Sequence, residues 1–167
     1  MVIIHENLKI RSAELTDAEM LCHWWNDGKV MAHAGFPNGL GTTVAEIQIN
    51  RGLFIIEVDN VPVGEMSCRK IGEDTAEIGI KICDFHQQGK GYGPTFLRML
   101  INHLFTKFGC QKIVLDTNLN NTRAQATYEK IGFRKVRINT DAWKNQLDEM
   151  QSSVDYELLK EDFKWER

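Results

Sequence analysis

The feature that most constrains the fold is a glycine-rich loop, Gln88–Gly93, between a strand-like and a helix-like segment. The strand-like run Glu77–Cys83 leads into the loop, and an amphipathic helical run, Thr95–Phe108, leads out of it. Glycine lets the backbone approach a ligand closely, and the first N–H groups of a helix have no partner within that helix. Because the helix dipole is positive at that end, the segment predicts a phosphate-binding loop.

Two common nucleotide-binding motifs do not fit this loop. The dinucleotide fingerprint G-x-G-x-x-G needs a spacing that Gly89, Gly91 and Gly93 do not provide, and Gln111 stands where an acidic residue is expected about 20 positions later. The P-loop motif G-x-x-x-x-G-K-S/T is absent. The loop alone therefore also fits a tight strand-to-helix connection that binds nothing.

A second segment makes the pattern more specific. After the apolar strand candidate Lys112–Asp116 comes Asn121–Phe133, which fits N-x-x-A-x-x-x-Y-E-K-x-G-F, and the loop itself fits Q/R-x-x-G-x-G/A at Gln88, Gly91 and Gly93. With both motifs in this order, the chain resembles the GNAT superfamily of N-acetyltransferases. The resemblance covers about residues 8–160, nearly the whole chain.

The resemblance implies the GNAT fold, a mixed α/β (α+β) fold in which a strongly twisted sheet of about seven strands is flanked by about four helices. We expect one such domain over residues 1–167. The polar segment Asp141–Ser153 fits either a helical turn or a hairpin loop. Hydrophobic patterns and turn signals place the strands at Leu8–Arg11, Leu53–Val58, Val61–Cys68, Thr75–Cys83, Lys112–Asp116, Phe133–Ile138 and Val154–Leu159.

Capping signals and apolar spacing place the helices. Thr16 is the expected N-cap of the first helix, with Glu19 completing a capping box. The expected helices run from Thr16 to Trp25, from Thr42 or Thr43 to about Asn50, from Thr95 to Phe108, and from Asn121 or Thr122 to Gly132, with a loop over Lys29–Gly41.

The resemblance implies acetyl-CoA as the cofactor and no metal. The loop amides would bind its pyrophosphate, the backbone of the preceding strand would pair with its pantetheine arm, and the asparagine that begins the later helix would contact the same arm. The implied cofactor-binding residues are Ile82, Cys83, Gln88, Gly89, Lys90, Gly91, Tyr92, Gly93 and Asn121.

The resemblance also implies the general acid, and strand position suggests the general base. Tyr128 stands where the superfamily places its general acid, and it follows Asn121 by seven residues, so both fall on one face of the helix. Its phenol can donate a hydrogen bond to a departing thiolate. Glu77 is the expected general base and Glu65 is its rival, although an ordinary strand carboxylate fits either residue. Cys83 is expected to contribute its backbone, without a covalent intermediate.

In the superfamily, the first helix and the segment after it form one wall of the acceptor cleft. This makes Trp25, His33 and Phe36 the expected substrate-binding residues, although Trp25 also fits simple core packing and His33 also fits a solvated loop. The chain is similar to the branch of ribosomal-protein, spermidine and aminoglycoside acetyltransferases. We expect a small amine acceptor; a protein N-terminus, or an acyl-CoA sensor without turnover, are the alternatives.

Composition narrows the function classes. The net charge of −3 disfavours a nucleic-acid-binding protein, and the four cysteines form no C-x-x-C pair that would predict a zinc or redox site. From the opening residues we expect no signal peptide, and the apolar runs are shorter than the roughly 18 residues of a membrane span. We therefore expect a soluble, cytoplasmic enzyme without a nucleic-acid or membrane partner, and we leave open a homodimer.

Overall fold

A computed structural model describes residues 1–165, and residues 166 and 167 of the expected domain lie outside this range. Within the described residues, eight strands form one mixed sheet in the order β1-β2-β3-β4-β5-β6-β8-β7. The strands are β1 (Val2–His5), β2 (Leu8–Ser12), β3 (Leu53–Val58), β4 (Val61–Lys70), β5 (Thr75–Ile82), β6 (Lys112–Asn118), β7 (Arg134–Lys144) and β8 (Met150–Leu159). The α-helices are α1 (Ala18–Trp25), α2 (Gly28–Met31), α3 (Tyr92–Lys107) and α4 (Thr122–Ile131).

One face of the sheet is covered by α3 and α4. The expected apolar stripe of α3 is buried there, including Phe96, Leu100 and Leu104. A smaller cluster packs α1 against β3 through Ala18, Leu21 and Ile55. No helix among residues 1–165 is long and apolar enough to cross a membrane.

The N-terminal part of the fold differs from the sequence prediction. Leu8–Ser12 is the second strand, because Val2–His5 precedes it and pairs with it antiparallel. The capping box before α1 joins Glu14 and Asp17, and Thr16 with Glu19 does not form it. Arg11, six residues earlier near the end of β2, also holds the Asp17 carboxylate, a contact that the capping pattern does not reveal.

The segment after α1 also differs. The predicted loop contains the short helix α2, whose N-cap Asp27 accepts a hydrogen bond from the Lys29 amide at 2.8 Å. The predicted second helix is only a 3-10 turn, Val44–Glu46, although its capping box from Thr43 to Glu46 forms. Val44 is exposed, so the helix has too little apolar surface to bury and the chain becomes extended at Ile47.

The sheet opens between β5 and β6. These two strands pair in parallel only over Thr75–Glu77 and Lys112–Val114. Beyond that point β5 stays paired with β4 as far as Ile82, and β6 stays paired with β8 as far as Asn118. The two halves of the sheet therefore diverge and leave a gap at the end of β5 that leads into the glycine-rich loop.

A long hairpin forms the far edge of the sheet. β7 and β8 extend to Lys144 and Met150, so the polar segment whose structure the sequence left open is a hairpin. Its turn, residues 145–149, projects beyond the paired strands and reaches the segment after α2.

Candidate active site

The glycine-rich loop ends in the left-handed conformation that glycine tolerates best. Gly91 is the N-cap of α3 with φ +82°, and Gly89 has φ +77°. A Cβ atom at Gly91 or Gly93 would meet no atom of the described chain within 4 Å, so the space above both is open. The amides of Tyr92 and Gly93 lie in the first turn of α3, where no helical carbonyl reaches them. This is a cradle for an anion.

Gln88 and Arg123 connect the loop to its surroundings. The Gln88 side-chain amide donates to the Ile82 carbonyl at 3.1 Å and accepts from Arg123 Nη1 at 3.0 Å. A Cβ atom at Gly89 would lie 3.6 Å from Arg123 Nη2, which places the guanidinium beside the loop. Sequence reasoning missed Arg123, and the only signal was a basic residue in the first turn of the helix that Asn121 begins.

An open cleft of about 920 Å³ runs from the loop into the gap between β5 and β6. Ten of the predicted site residues line it together: His33, Glu77, Ile82, Gln88, Gly89, Gly91, Tyr92, Gly93, Asn121 and Tyr128. Four other predicted residues, Trp25, Phe36, Cys83 and Lys90, are not among its lining residues.

Asn121 and Tyr128 lie on α4 as expected, two turns apart, and both face the cleft. Asn121 is the N-cap; its Oδ1 accepts from the Ala124 amide at 3.2 Å, and its Nδ2 donates to Thr117 Oγ1 at 3.3 Å. Tyr128 is buried, with its ring edge-on to Tyr156 at 5.7 Å. Burial, and to a lesser degree the nearby Asp116 carboxylate, raise the pKa of Tyr128 to about 12, so the phenol stays protonated at neutral pH.

Two carboxylates line the cleft near the point where β5 and β6 separate. Glu77, at the last position where β5 pairs with β6, has its Oε1 2.6 Å from Arg69 Nη2. Asp116, on β6, was missed by sequence reasoning, which treated it only as the end of a strand. Asp116 is exposed at the mouth of the cleft, but partial desolvation by its neighbours raises its pKa, and so do the negative charges of Glu77 and Asp155. Its position in the cleft follows from the divergence of β5 and β6, which no local pattern predicts.

Glu65, the rival base, lies elsewhere. Its side chain is buried, accepts from Trp25 Nε1 at 2.6 Å and pairs with Lys81 Nζ at 3.4 Å. Trp25 therefore binds β4 through its indole N–H. Phe36 is half-buried in the segment after α2, and its amide donates to the Met31 carbonyl at 3.0 Å.

Cys83 lies just beyond β5, beside the cleft. Its amide donates to the Val63 carbonyl at 2.8 Å, so that donor is already used by the sheet. Burial, with a smaller contribution from Glu65, raises the pKa of the Cys83 thiol to about 12. At neutral pH almost none of it is the reactive thiolate.

Comparisons with known proteins agree on one family. A family model described as "Acetyltransferase (GNAT) domain" matches residues 7–134. The chain is 25% identical over 150 residues to the protein called "Uncharacterized N-acetyltransferase p20" of Bacillus licheniformis, a match that covers 81% of this chain and 84% of that relative.

Solved structures show the same fold. The GNAT-family acetyltransferase from Bacillus anthracis superposes with a TM-score of 0.83 at 25% identity, covering 96% of this chain and 99% of that one. Spermidine N-acetyltransferase from Vibrio cholerae, solved with CoA and spermine, superposes with a TM-score of 0.81 at 22% identity, covering 95% and 98%. The chain belongs to the GNAT family and is an acetyl-CoA-dependent acetyltransferase.

Proposed function

We propose that this enzyme transfers the acetyl group of acetyl-CoA to a primary amine of a small cationic acceptor, such as a linear polyamine, by direct attack in a ternary complex. The observation that carries the proposal is the convergence on one cleft of the anion cradle, the Tyr128 phenol and the Glu77 and Asp116 carboxylates. Each group matches one requirement of acetyl transfer to an amine.

The described residues fit the cofactor. The amides of Gly89–Gly93 and the guanidinium of Arg123 would bind its pyrophosphate, and the edge of β5 that β6 leaves unpaired after Glu77 would accept an extended arm. Bound acetyl-CoA supplies the thioester carbonyl that the amine attacks. The divergence of β5 and β6 thus supports an acetyl-CoA site on the side of the cleft that the glycine-rich loop forms.

Asp116 is the proposed proton acceptor for the amine, directly or through one water. Glu77 is already paired with Arg69, whereas Asp116 has an elevated pKa, which makes it the stronger base. Glu77 contributes by its negative charge, which helps to raise the pKa of Asp116. The base role that we expected for Glu77 is therefore shared: Asp116 takes the proton, and Glu77 raises the pKa of Asp116.

Tyr128 is the proposed hydrogen-bond donor to the departing sulfur. With its pKa near 12, full transfer of its proton to a thiolate of ordinary pKa costs roughly 5 kcal/mol, so the phenol stabilises the thiolate mainly by hydrogen bonding. A donor fixed in a buried position loses little entropy when the charge forms. The protonated thiol of Cys83 supports a reaction without an acetyl-cysteine intermediate.

The negative charge around Asp116 supports a cationic acceptor at this place in the cleft. Glu77 lines the cleft beside Asp116, and the charges of Glu77 and Asp155 raise the pKa of Asp116. A protonated amine next to Asp116 would offset these charges. The Vibrio cholerae neighbour was solved with spermine, which makes linear polyamines the first acceptors to test.

The test is thiol release from acetyl-CoA against an acceptor panel of spermidine, spermine, kanamycin and a short peptide with a free N-terminus. The proposal expects the highest kcat/KM with a polyamine. Turnover with the peptide alone would replace it with a protein N-terminal acetyltransferase. Tight acetyl-CoA binding without thiol release for any acceptor would favour an acyl-CoA sensor.

A further inference from the structure

The segment after α2 and the β7–β8 turn meet across the gap in the sheet. The segment, residues 32–41, is called here the α2 loop, and it is fixed to α1 by the bond from the Leu40 amide to the Trp25 carbonyl at 2.8 Å. Since α1 packs on β3 and Trp25 binds β4, the α2 loop belongs to one half of the sheet. The β7–β8 turn belongs to the other half, because β8 pairs with β6.

Gln146, in the turn, makes three hydrogen bonds to the backbone of the α2 loop. Its amide donates to the Gly35 carbonyl at 2.8 Å. Its side chain accepts from the Asn38 amide at 2.9 Å and donates to the Gly39 carbonyl at 2.9 Å. A primary amide can make both side-chain bonds at once, because its oxygen accepts while its nitrogen donates.

Trp143 completes the contact. Its ring lies so close to Gly35 that an added Cβ atom would come within 2.9 Å of ring carbon Cη2, and Gly35 has φ +102°. Glycine is therefore required there both for conformation and for space. Trp143, His33 and Ala34 all line the cleft, so the bridge forms part of its wall.

We infer that this Gln146–Trp143 bridge is a specificity determinant that spans the acceptor end of the cleft and admits slender amines beneath it in preference to branched or folded ones. The inference rests on the proposed function and deepens it. Gln146 is a positioning residue: it acts on the acceptor through His33 and the rest of the α2 loop. An unbranched polyamine can thread under such a bridge toward Asp116, whereas an aminoglycoside must displace it.

The first part of the test needs no substrate. Hydrogen exchange of the Asn38 amide is measured in the wild type, in Gln146→Ala, in Gln146→Glu and in Leu147→Ala, an exposed neighbour in the same turn. Protection in the wild type should fall about tenfold in Gln146→Ala. It should persist in Gln146→Glu, which keeps an acceptor for Asn38, and in the control. Equal exchange in the wild type and Gln146→Ala overturns the bridge.

The second part compares kcat/KM for spermidine and kanamycin. In Gln146→Ala the ratio of the two should fall about tenfold, chiefly through a higher kcat/KM for kanamycin, which no longer has to displace the bridge, with the KM for acetyl-CoA within about twofold of the wild type. Gln146→Glu should also lose selectivity, because its carboxylate cannot donate to Gly39. An unchanged ratio despite faster Asn38 exchange overturns the specificity role. If the wild type acetylates none of the amines, the proposed function and the specificity role of the bridge are both overturned. Hydrogen exchange of the Asn38 amide still decides whether the bridge itself forms.

Discussion

Arg123 donates a hydrogen bond from Nη1 to Oε1 of Gln88 at 3.0 Å, and this contact joins the first turn of α4 to the loop that precedes α3. Gln88 in turn donates to the Ile82 carbonyl at the end of β5. The loop is thus held from both sides, with Gly89 and Gly91 in the left-handed conformation. An anion site that is already formed needs little reorganisation when a ligand binds.

Replacing Arg123 by alanine should weaken CoA binding about 10- to 100-fold, because a charge-assisted hydrogen bond to phosphate is lost. Isothermal titration calorimetry measures this directly. Pantetheine, which lacks the pyrophosphate, is the matched ligand, and its affinity should be the same in both proteins. An equal loss for pantetheine would show that Arg123 supports only the loop, and not the phosphate.

Asp116→Asn should lower kcat about 100-fold, because the amide cannot take the proton of the amine. In the wild type, kcat/KM should fall as the pH drops through the raised pKa of Asp116, because the base must be ionised. Glu77→Gln removes one of the charges that raise this pKa, so the acid limb should move to lower pH. If the acidic side of the kcat/KM–pH profile lies at the same pH in Glu77→Gln as in the wild type, the coupling of the two carboxylates is contradicted.

The same substitution of Asp116 should stabilise the fold at neutral pH. A carboxyl whose pKa is raised on folding is destabilising once it is ionised, and this penalty disappears below its unfolded pKa of about 3.9. Differential scanning fluorimetry should therefore show a slightly higher melting temperature for Asp116→Asn at pH 7, with no difference near pH 3; the gain is small because solvent screens the exposed Asp116 carboxylate. A lower melting temperature at pH 7 would argue that Asp116 has a structural role.

Arg11 should be important for stability, because it pairs with two buried carboxylates. It binds both Asp17 oxygens, at 2.8 and 2.9 Å, and donates to Glu57 at 2.7 Å. Arg11→Met should reduce the free energy of unfolding by about 3 kcal/mol at pH 7, because the buried Asp17 carboxylate loses its salt bridge and Glu57 keeps only the one with Lys9. Arg134→Met, which removes the exposed pair with Glu157, is the control and should cost under about 0.5 kcal/mol.

The pH dependence of this effect has a definite sign. The hydrogen bond from Arg11 lowers the pKa of Asp17, and for Glu57 the bonds from Arg11 and Lys9 outweigh the effect of burial and lower its pKa too. The stabilisation is thus present above the ordinary carboxyl pKa of about 4 and is lost as the pH falls toward the lowered values. Urea unfolding should show the difference between wild type and Arg11→Met shrinking below about pH 4; a constant difference would contradict this account.

Much of the site could be predicted from the sequence, because its elements are specified locally. The left-handed glycine of the loop, the apolar stripe of α3 and the N-cap Asn121 are consequences of residue types at fixed spacing. The structure places Asn121 and Tyr128 along the same cleft as the loop, in agreement with their helical spacing.

The site residues that could not be predicted from the sequence depend on contacts between distant segments. Asp116 enters the cleft because β5 and β6 separate, and Arg123 reaches the loop through Gln88, 35 residues earlier in the chain. The predicted second helix stopped after one turn because little of it could be buried. Trp25 was expected at the acceptor, but its indole binds Glu65, and neither residue is among those that line the cleft.

The central claim is that Tyr128 donates a hydrogen bond to the departing thiolate in a direct transfer. The most direct measurement is the rate of thiol release from acetyl-CoA with a saturating polyamine, for the wild type and for Tyr128→Phe. We predict that kcat falls about 100-fold in Tyr128→Phe while both KM values stay within about threefold, because only the hydroxyl that acts on the leaving group is removed. Unchanged kcat in Tyr128→Phe would contradict the account.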